Sequence, residues 1–174
     1  MNISRLTNTR IRAIKMSDAE NYMMLLRCLD GESNFLFFEK DERSGNLEKY
    51  SEFINAILLH EKSMIFVAES DAGELVGFIC GEVLNGRKRS HLMTIGMGVL
   101  KDYQLGLGRG LMERLLSHAR NKDVKRVEAH VMEANKKCLN LTKKFGFVVE
   151  GIKKASIKTD EGFVNEYMIG LVYE

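Results

Sequence analysis

Between residues 103 and 110 the chain reads Tyr103-Gln104-Leu105-Gly106-Leu107-Gly108-Arg109-Gly110, with alternate glycines at the last five positions. An apolar, strand-like run ends just before it, at Val99. A helical run starts inside it: Gly108, Leu111, Met112, Leu115, Leu116 and Ala119 recur at the spacing of one helix face. Glycines at a strand-to-helix corner let the backbone turn tightly and let a ligand approach the amides without Cβ interference. The first turn of a helix also presents unpaired N–H groups and the positive end of the dipole, which favour phosphate. Arg109 and Arg114 are candidates to add charge-assisted contacts. A bare corner without a ligand remains the alternative. Two familiar phosphate motifs do not fit. There is no GK[ST], as a P-loop NTPase needs. The glycines run GxGxG rather than GxGxxG, and Asp123 precedes its strand instead of ending it as a ribose hook would. A nucleotide-bearing thioester is therefore favoured over a nicotinamide cofactor.

The rest of the chain builds a frame around that corner. Thr9 to Lys15 reads as a short strand. Ser17-Asp18-Ala19-Glu20 fits a capping box, with Ser17 as N-cap and Glu20 reaching back, before a helix to about Leu29. A polar connection, Gly31 to Asn46, carries Phe35, Phe37 and Phe38. A second helix spans about Leu47 to His60. Strands are expected at Met64–Glu69 and Glu74–Leu84, joined through Asp71-Ala72-Gly73. After the turn signal Asn85-Gly86 another is expected at His91–Val99. Strand 125–131 follows a helix, so it should run parallel to its neighbour. The tail reads as strands 147–157 and 163–172 around Thr159-Asp160-Glu161-Gly162. The order predicts one α/β domain over residues 1–174, a mixed sheet covered by helices.

Composition narrows the function classes. With 174 residues, 45% of them hydrophobic, the chain can bury a core without a disulfide or metal staple. A net charge of +2 is too weak to point to nucleic acid. No apolar run approaches a membrane span, and polar Met1–Arg12 lacks a signal-type stretch, so a cytoplasmic protein is expected. Cys28, Cys80 and Cys138 form no CxxC pair, and the four histidines form no metal motif, so no metal is expected.

Three blocks together carry a resemblance: Val99 to Met112; then Val131, Asn135, Leu141 and Phe145-Gly146-Phe147; then Glu150-Gly151-Ile152-Lys153-Lys154 followed by Gly162 and Tyr167-Met168. In that order and spacing they resemble the GNAT superfamily of N-acetyltransferases, in particular the branch containing ribosomal-protein and spermidine/diamine acetyltransferases. The resemblance implies a mostly antiparallel mixed sheet with a splayed parallel strand pair. It implies acetyl-CoA as acetyl donor and a small amine, polyamine or peptide N-terminus as acceptor, with no metal, nucleic acid or membrane partner; a homodimer stays open. By the same resemblance the pantetheine pairs with backbone at Met97, Gly98 and Val99. The pyrophosphate lies on the amides of Gln104, Leu105, Gly106, Leu107, Gly108, Arg109 and Gly110, and Asn135 touches the pantetheine arm. The Val99 amide then polarises the thioester carbonyl.

The sequence departs from the family pattern at two places. The loop is one residue short before Gly106, which puts Tyr103 where a Gln or Arg is usual. Thr142 stands where the family usually has a tyrosine that protonates the leaving thiolate. Asn135, Cys138, Thr142 and Phe145 share one helix face. The acidic residue that many relatives carry on the strand before Val99 is replaced by Met93 and Thr94. Glu82 and His91 remain as candidate bases. Glu32, Glu39, Asp41, Glu42, Asp160 and Glu161 are candidate attractors for a cationic amine. An acyl-CoA sensor that binds but does not turn over is the rival reading.

Overall fold

The computed structural model describes residues 9–43, 45–103 and 106–174. Seven strands form one sheet: β1 (Thr9–Ala13), β2 (Met64–Ser70), β3 (Leu75–Val83), β4 (Leu92–Val99), β5 (Arg126–Met132), β6 (Val148–Thr159) and β7 (Gly162–Val172). Their spatial order is β1-β2-β3-β4-β5-β7-β6, and every pairing is antiparallel except β4 with β5. The mixed sheet with one parallel pair is the architecture that the resemblance implies.

Helices cover both faces. α1 (Ala19–Glu32) and α2 (Leu47–Leu59) bury Tyr22, Leu25, Leu29, Ile54 and Ile57 against Ile65, Val67 and Phe78. α3 (Leu107–Asn121) buries Leu111, Met112 and Leu115 on the other face, against Phe66, Ile79, Met93 and Val127. Successive strand residues point to opposite faces, so Ile65 and Val67 serve one helix layer and Phe66 the other. The last helix, α4 (Lys136–Lys144), follows β5.

The start of α1 differs from the expected capping box. A short 3₁₀ turn at Met16–Asp18 precedes the helix, and the side chain that reaches back is Asp18, not Glu20. Asp18 accepts from the Lys15 N–H at 2.8 Å and from both ends of the Arg12 guanidinium fork at 2.7 and 2.9 Å. A buried carboxylate held by a planar fork outcompetes a serine hydroxyl for this corner. Arg12 holds Asp18 below the usual carboxylate range against the opposing effect of burial. α1 also runs to Glu32, through Gly31, so the connection begins at Ser33. That connection is pinned back: Arg43 grips buried Asp30 and stacks on Phe38, 4.5 Å from the ring centroid.

The Asn85-Gly86 signal lies in a longer connection from β3 to β4, where Gly86 has φ 123° and its carbonyl accepts from Arg89 N–H. β6 carries an unforeseen bulge. Ala155 adopts φ 51°, stabilised by its N–H donating to Asn165 Oδ1 at 3.0 Å, and the register with β7 shifts there. No helix among the described residues is long and apolar enough to cross a membrane.

Candidate active site

β4 and β5 pair only over Leu92–Thr94 with Arg126–Glu128. Beyond that, β4 stays on β3 up to Val99 and β5 stays on β7 up to Met132, so the two strands diverge. Each keeps one antiparallel partner, while its other edge faces a cleft instead of a ladder.

Two cavities meet in this cleft. The larger, about 690 Å3, lies at the C-terminal end of β4 between the end of α1 and the starts of α3 and α4. Met97, Gly98, Val99, Gly108 and Asn135 line it, together with Lys101, Lys137, Glu32 and Leu141. The smaller, about 170 Å3, lies deeper in the splay and is lined by Thr94, Gly96, His130, Met132, Thr142 and Glu166. Phe35, Leu36, Met97, Asn135 and Cys138 line both.

The helix start that borders the larger cavity is built by glycine. Gly106 caps α3 with φ 81°, a left-handed conformation that costs a side-chain-bearing residue energy. Its carbonyl accepts from the Arg109 and Gly110 N–H groups at 3.1 and 3.2 Å. A helix start leaves the N–H groups of Leu107 and Gly108 without an acceptor in their own helix. A Cβ on Gly108 would come 3.2 Å from Met97 Cε, so this wall has no room for one without movement. Gln104 and Leu105 lie outside the described residues. Arg109 is 69% exposed and paired with Glu113 on its own helix at 2.8 Å. Arg114, a candidate phosphate contact from its position, is directed instead over the Phe66 ring. Tyr103 closes a 3₁₀ turn and packs against the α3 core.

Asn135 is the N-cap of α4, its Oδ1 accepting from Cys138 N–H at 3.1 Å, which leaves the carboxamide NH2 as a donor. One turn on, burial pushes the Cys138 thiol up, keeping it neutral. Thr142 is 3% exposed and lines the smaller cavity, but its hydroxyl donates to its own helix, toward Cys138 and Leu139 carbonyls at 3.0 and 3.2 Å.

The two candidate bases are placed unfavourably. His91 precedes β4 at its closed end, where its carbonyl accepts from Lys125 and Arg126 N–H groups. His91 lines neither cavity; three residues of strand, about 10 Å, separate it from Thr94 at the near end of the smaller one. Glu82 is exposed on β3 opposite Thr94, one strand removed from the smaller cavity, and does not line it. Of the acidic loop residues, Glu32 lines the larger cavity and accepts from Lys101 N–H at 2.9 Å. Glu39, Asp41, Glu42, Asp160 and Glu161 line neither. Sequence reasoning gave no role to Lys101, which lies inside the Val99–Met112 block, and missed Lys137 and Glu166. Glu166 pairs with Met132 across β5–β7, and no motif marks it; only the register of β7 would have aimed it at the splay.

The sequence model of the acetyltransferase (GNAT) family matches residues 27–147. This chain belongs to that family. The GNAT assignment is matched in fold by solved structures. A GNAT acetyltransferase from Streptococcus pneumoniae superposes with a TM-score of 0.90 at 22% identity, over 96% of this chain and 100% of that one. YncA of Salmonella typhimurium, a protein described as a putative acetyltransferase and solved with its cofactor acetyl-CoA, gives 0.83 at 17% identity, over 97% and 95%. Mycothiol acetyltransferase of Propionibacterium freudenreichii subsp. shermanii is 29% identical over 102 residues; the match covers 57% of this GNAT chain and 30% of that protein. The chain thus spans about a third of the length of that relative. Among the described residues no group of three or more metal-ligating side chains is present.

Proposed function

We propose that this acetyltransferase moves an acetyl group directly from acetyl-CoA to a primary amine. The observation that carries the reading is the pair of cavities meeting at the β4–β5 splay, one bordered by lysines and a helix start, the other small and bearing a buried carboxylate. At about 690 Å3 the larger is within the usual size range of small-molecule sites. Pyrophosphate suits the N–H groups at the Gly106–Gly110 helix start, and Lys101 and Lys137 border the same cavity with positive charge. The pantetheine would run along Met97–Val99 with Asn135 beside it, as it does by family resemblance. The acetyl-CoA held by the Salmonella typhimurium relative supports the same donor.

In the reaction the amine, once bound, loses a proton to water before it attacks, because an ordinary alkylammonium titrates near ~10.4 and only the neutral form is nucleophilic. Its nitrogen then bonds to the thioester carbonyl carbon as the C–S bond breaks. The Val99 amide would steady the charge on the carbonyl oxygen. The second N–H proton leaves with the thiolate, which needs little acid assistance because thiols titrate near ~8.5.

Acetyl-CoA at 100 times its Kd should stabilise the fold by about 2.7 kcal/mol, raising the melting temperature by roughly 5–10 °C. NADH at equal concentration should not. Thiol release across a panel of amines then reports turnover. Binding without thiol release from any amine would identify a sensor, and no binding would remove the donor assignment.

A further inference from the structure

Resting on that reading, we infer that Glu166 is the docking group for the acceptor's ammonium, and that the acceptor is a compact amine with an apolar body and no carboxylate. Glu166 lies on β7, opposite Met132 of β5 and Lys153 of β6, and lines the smaller cavity. It is 3% exposed. Its charged neighbour is Lys153 Nζ at 3.6 Å, beyond hydrogen-bonding range, from a side chain that is 43% exposed. A carboxylate offers about four acceptor positions, and one loose ion pair on its outer side leaves the cavity side available. Burying such a group is costly unless a donor meets it, so a cation entering the cavity is favoured twice, by charge and by hydrogen bonding.

The walls decide what else the acceptor carries. Phe35, Leu36, Phe37, Ile95, Met112 and Met132 surround the same space. Among the described residues no arginine or lysine lines it. An α-carboxylate next to the amine would therefore meet Glu166 with no arginine or lysine on the wall to pair it, only His130 and the neutral polar groups of Thr94, Asn135 and Thr142, a mismatch that selects against it. The size agrees with a short body. At about 170 Å3 it is about a quarter of the size of the neighbouring cavity.

The test compares acceptors that differ only in the carboxylate: 3-methylbutylamine against leucine, and 2-phenylethylamine against phenylalanine, with spermidine and an alanyl peptide alongside. Thiol release from acetyl-CoA is the readout. The amines should exceed their amino-acid counterparts at least tenfold in kcat/KM. Glu166→Gln keeps shape and removes charge; it should raise the acceptor KM at least tenfold while the acetyl-CoA KM stays within about twofold, a split that a general loosening of the fold would not produce. Should the variant not fold, the paired-acceptor comparison on the natural protein decides alone. The inference is overturned if the amino acids are used as well as the amines, if only spermidine or the peptide is acetylated, or if a folded Glu166→Gln protein keeps its acceptor KM. No thiol release from any amine, with acetyl-CoA bound, would instead bring down the N-acetyl-transfer reading itself.

Discussion

The two cavities of the splay are built in opposite ways. The larger takes much of its character from neighbouring residues: the end of β4, the corner after it and the first turn of α3 supply backbone groups, and Lys101 and Lys137 add positive charge. The smaller takes single side chains from places far apart in the chain: Phe37 before α2, Thr94 on β4, His130 on β5, Thr142 on α4 and Glu166 on β7. A backbone-built site tolerates changes of side chain but not of conformation or clearance. A side-chain site is the reverse, so one fold can keep its donor while its acceptor changes.

The strongest challenge to this contrast is the roof that the cavities share, the connection after α1 that brings Phe35 and Leu36 to both. Asp30→Ala would strand Arg43, whose guanidinium the Asp30 carboxylate holds more firmly protonated than usual. Losing one partner of a buried pair costs about 3–5 kcal/mol. A fall in melting temperature of roughly 6–20 °C is expected in calorimetry. Because the roof supplies side chains to both cavities but only the donor side has its own backbone cradle, the acceptor KM should rise more than the acetyl-CoA KM. Equal rises would dissolve the distinction.

Gly108→Val strikes the backbone-built side first. With its Cβ 3.2 Å from Met97 Cε and 3.6 Å from Leu141 Cδ2, the branched side chain must extend into the donor cavity or displace its wall. Acetyl-CoA affinity should fall about 100-fold, or about 2.7 kcal/mol by titration calorimetry. A folded variant with unchanged affinity would show that the corner holds no ligand.

Thr142→Val probes the side-chain side more gently. Its hydroxyl is already spent on Cys138 and Leu139 carbonyls, so kcat should drop by less than about tenfold, against the 10²–10⁴-fold that positioned acid catalysis contributes. A 100-fold loss in a variant that still binds acetyl-CoA would assign the hydroxyl to the leaving thiolate. The smallest effect is expected from reversing Asp160 and Glu161 together. They line neither cavity, so at physiological salt, where the Debye length is about 8 Å, the acceptor KM should change less than about twofold. A larger rise would extend the acceptor site out to the β6–β7 turn.

Most of the frame was legible in order of elements, because periodicity is a local property: the strands around Met64–Glu69, 74–84 and 91–99 and the helix after Gly106 are each marked by their own residues. The glycine corner was legible for the same reason, since a tight turn into a helix depends on consecutive backbone groups. Only the tertiary structure decided the rest. Asp18 displaced Ser17 at the start of α1 because Arg12, on another element, reaches it. His91 fell at the closed end of β4, and Arg114 turned to Phe66, because strand direction and helix face are set by what packs on them. Glu166 faces the splay only because the β5–β7 register places it opposite Met132; a slip of one residue would turn it to the other face of the sheet.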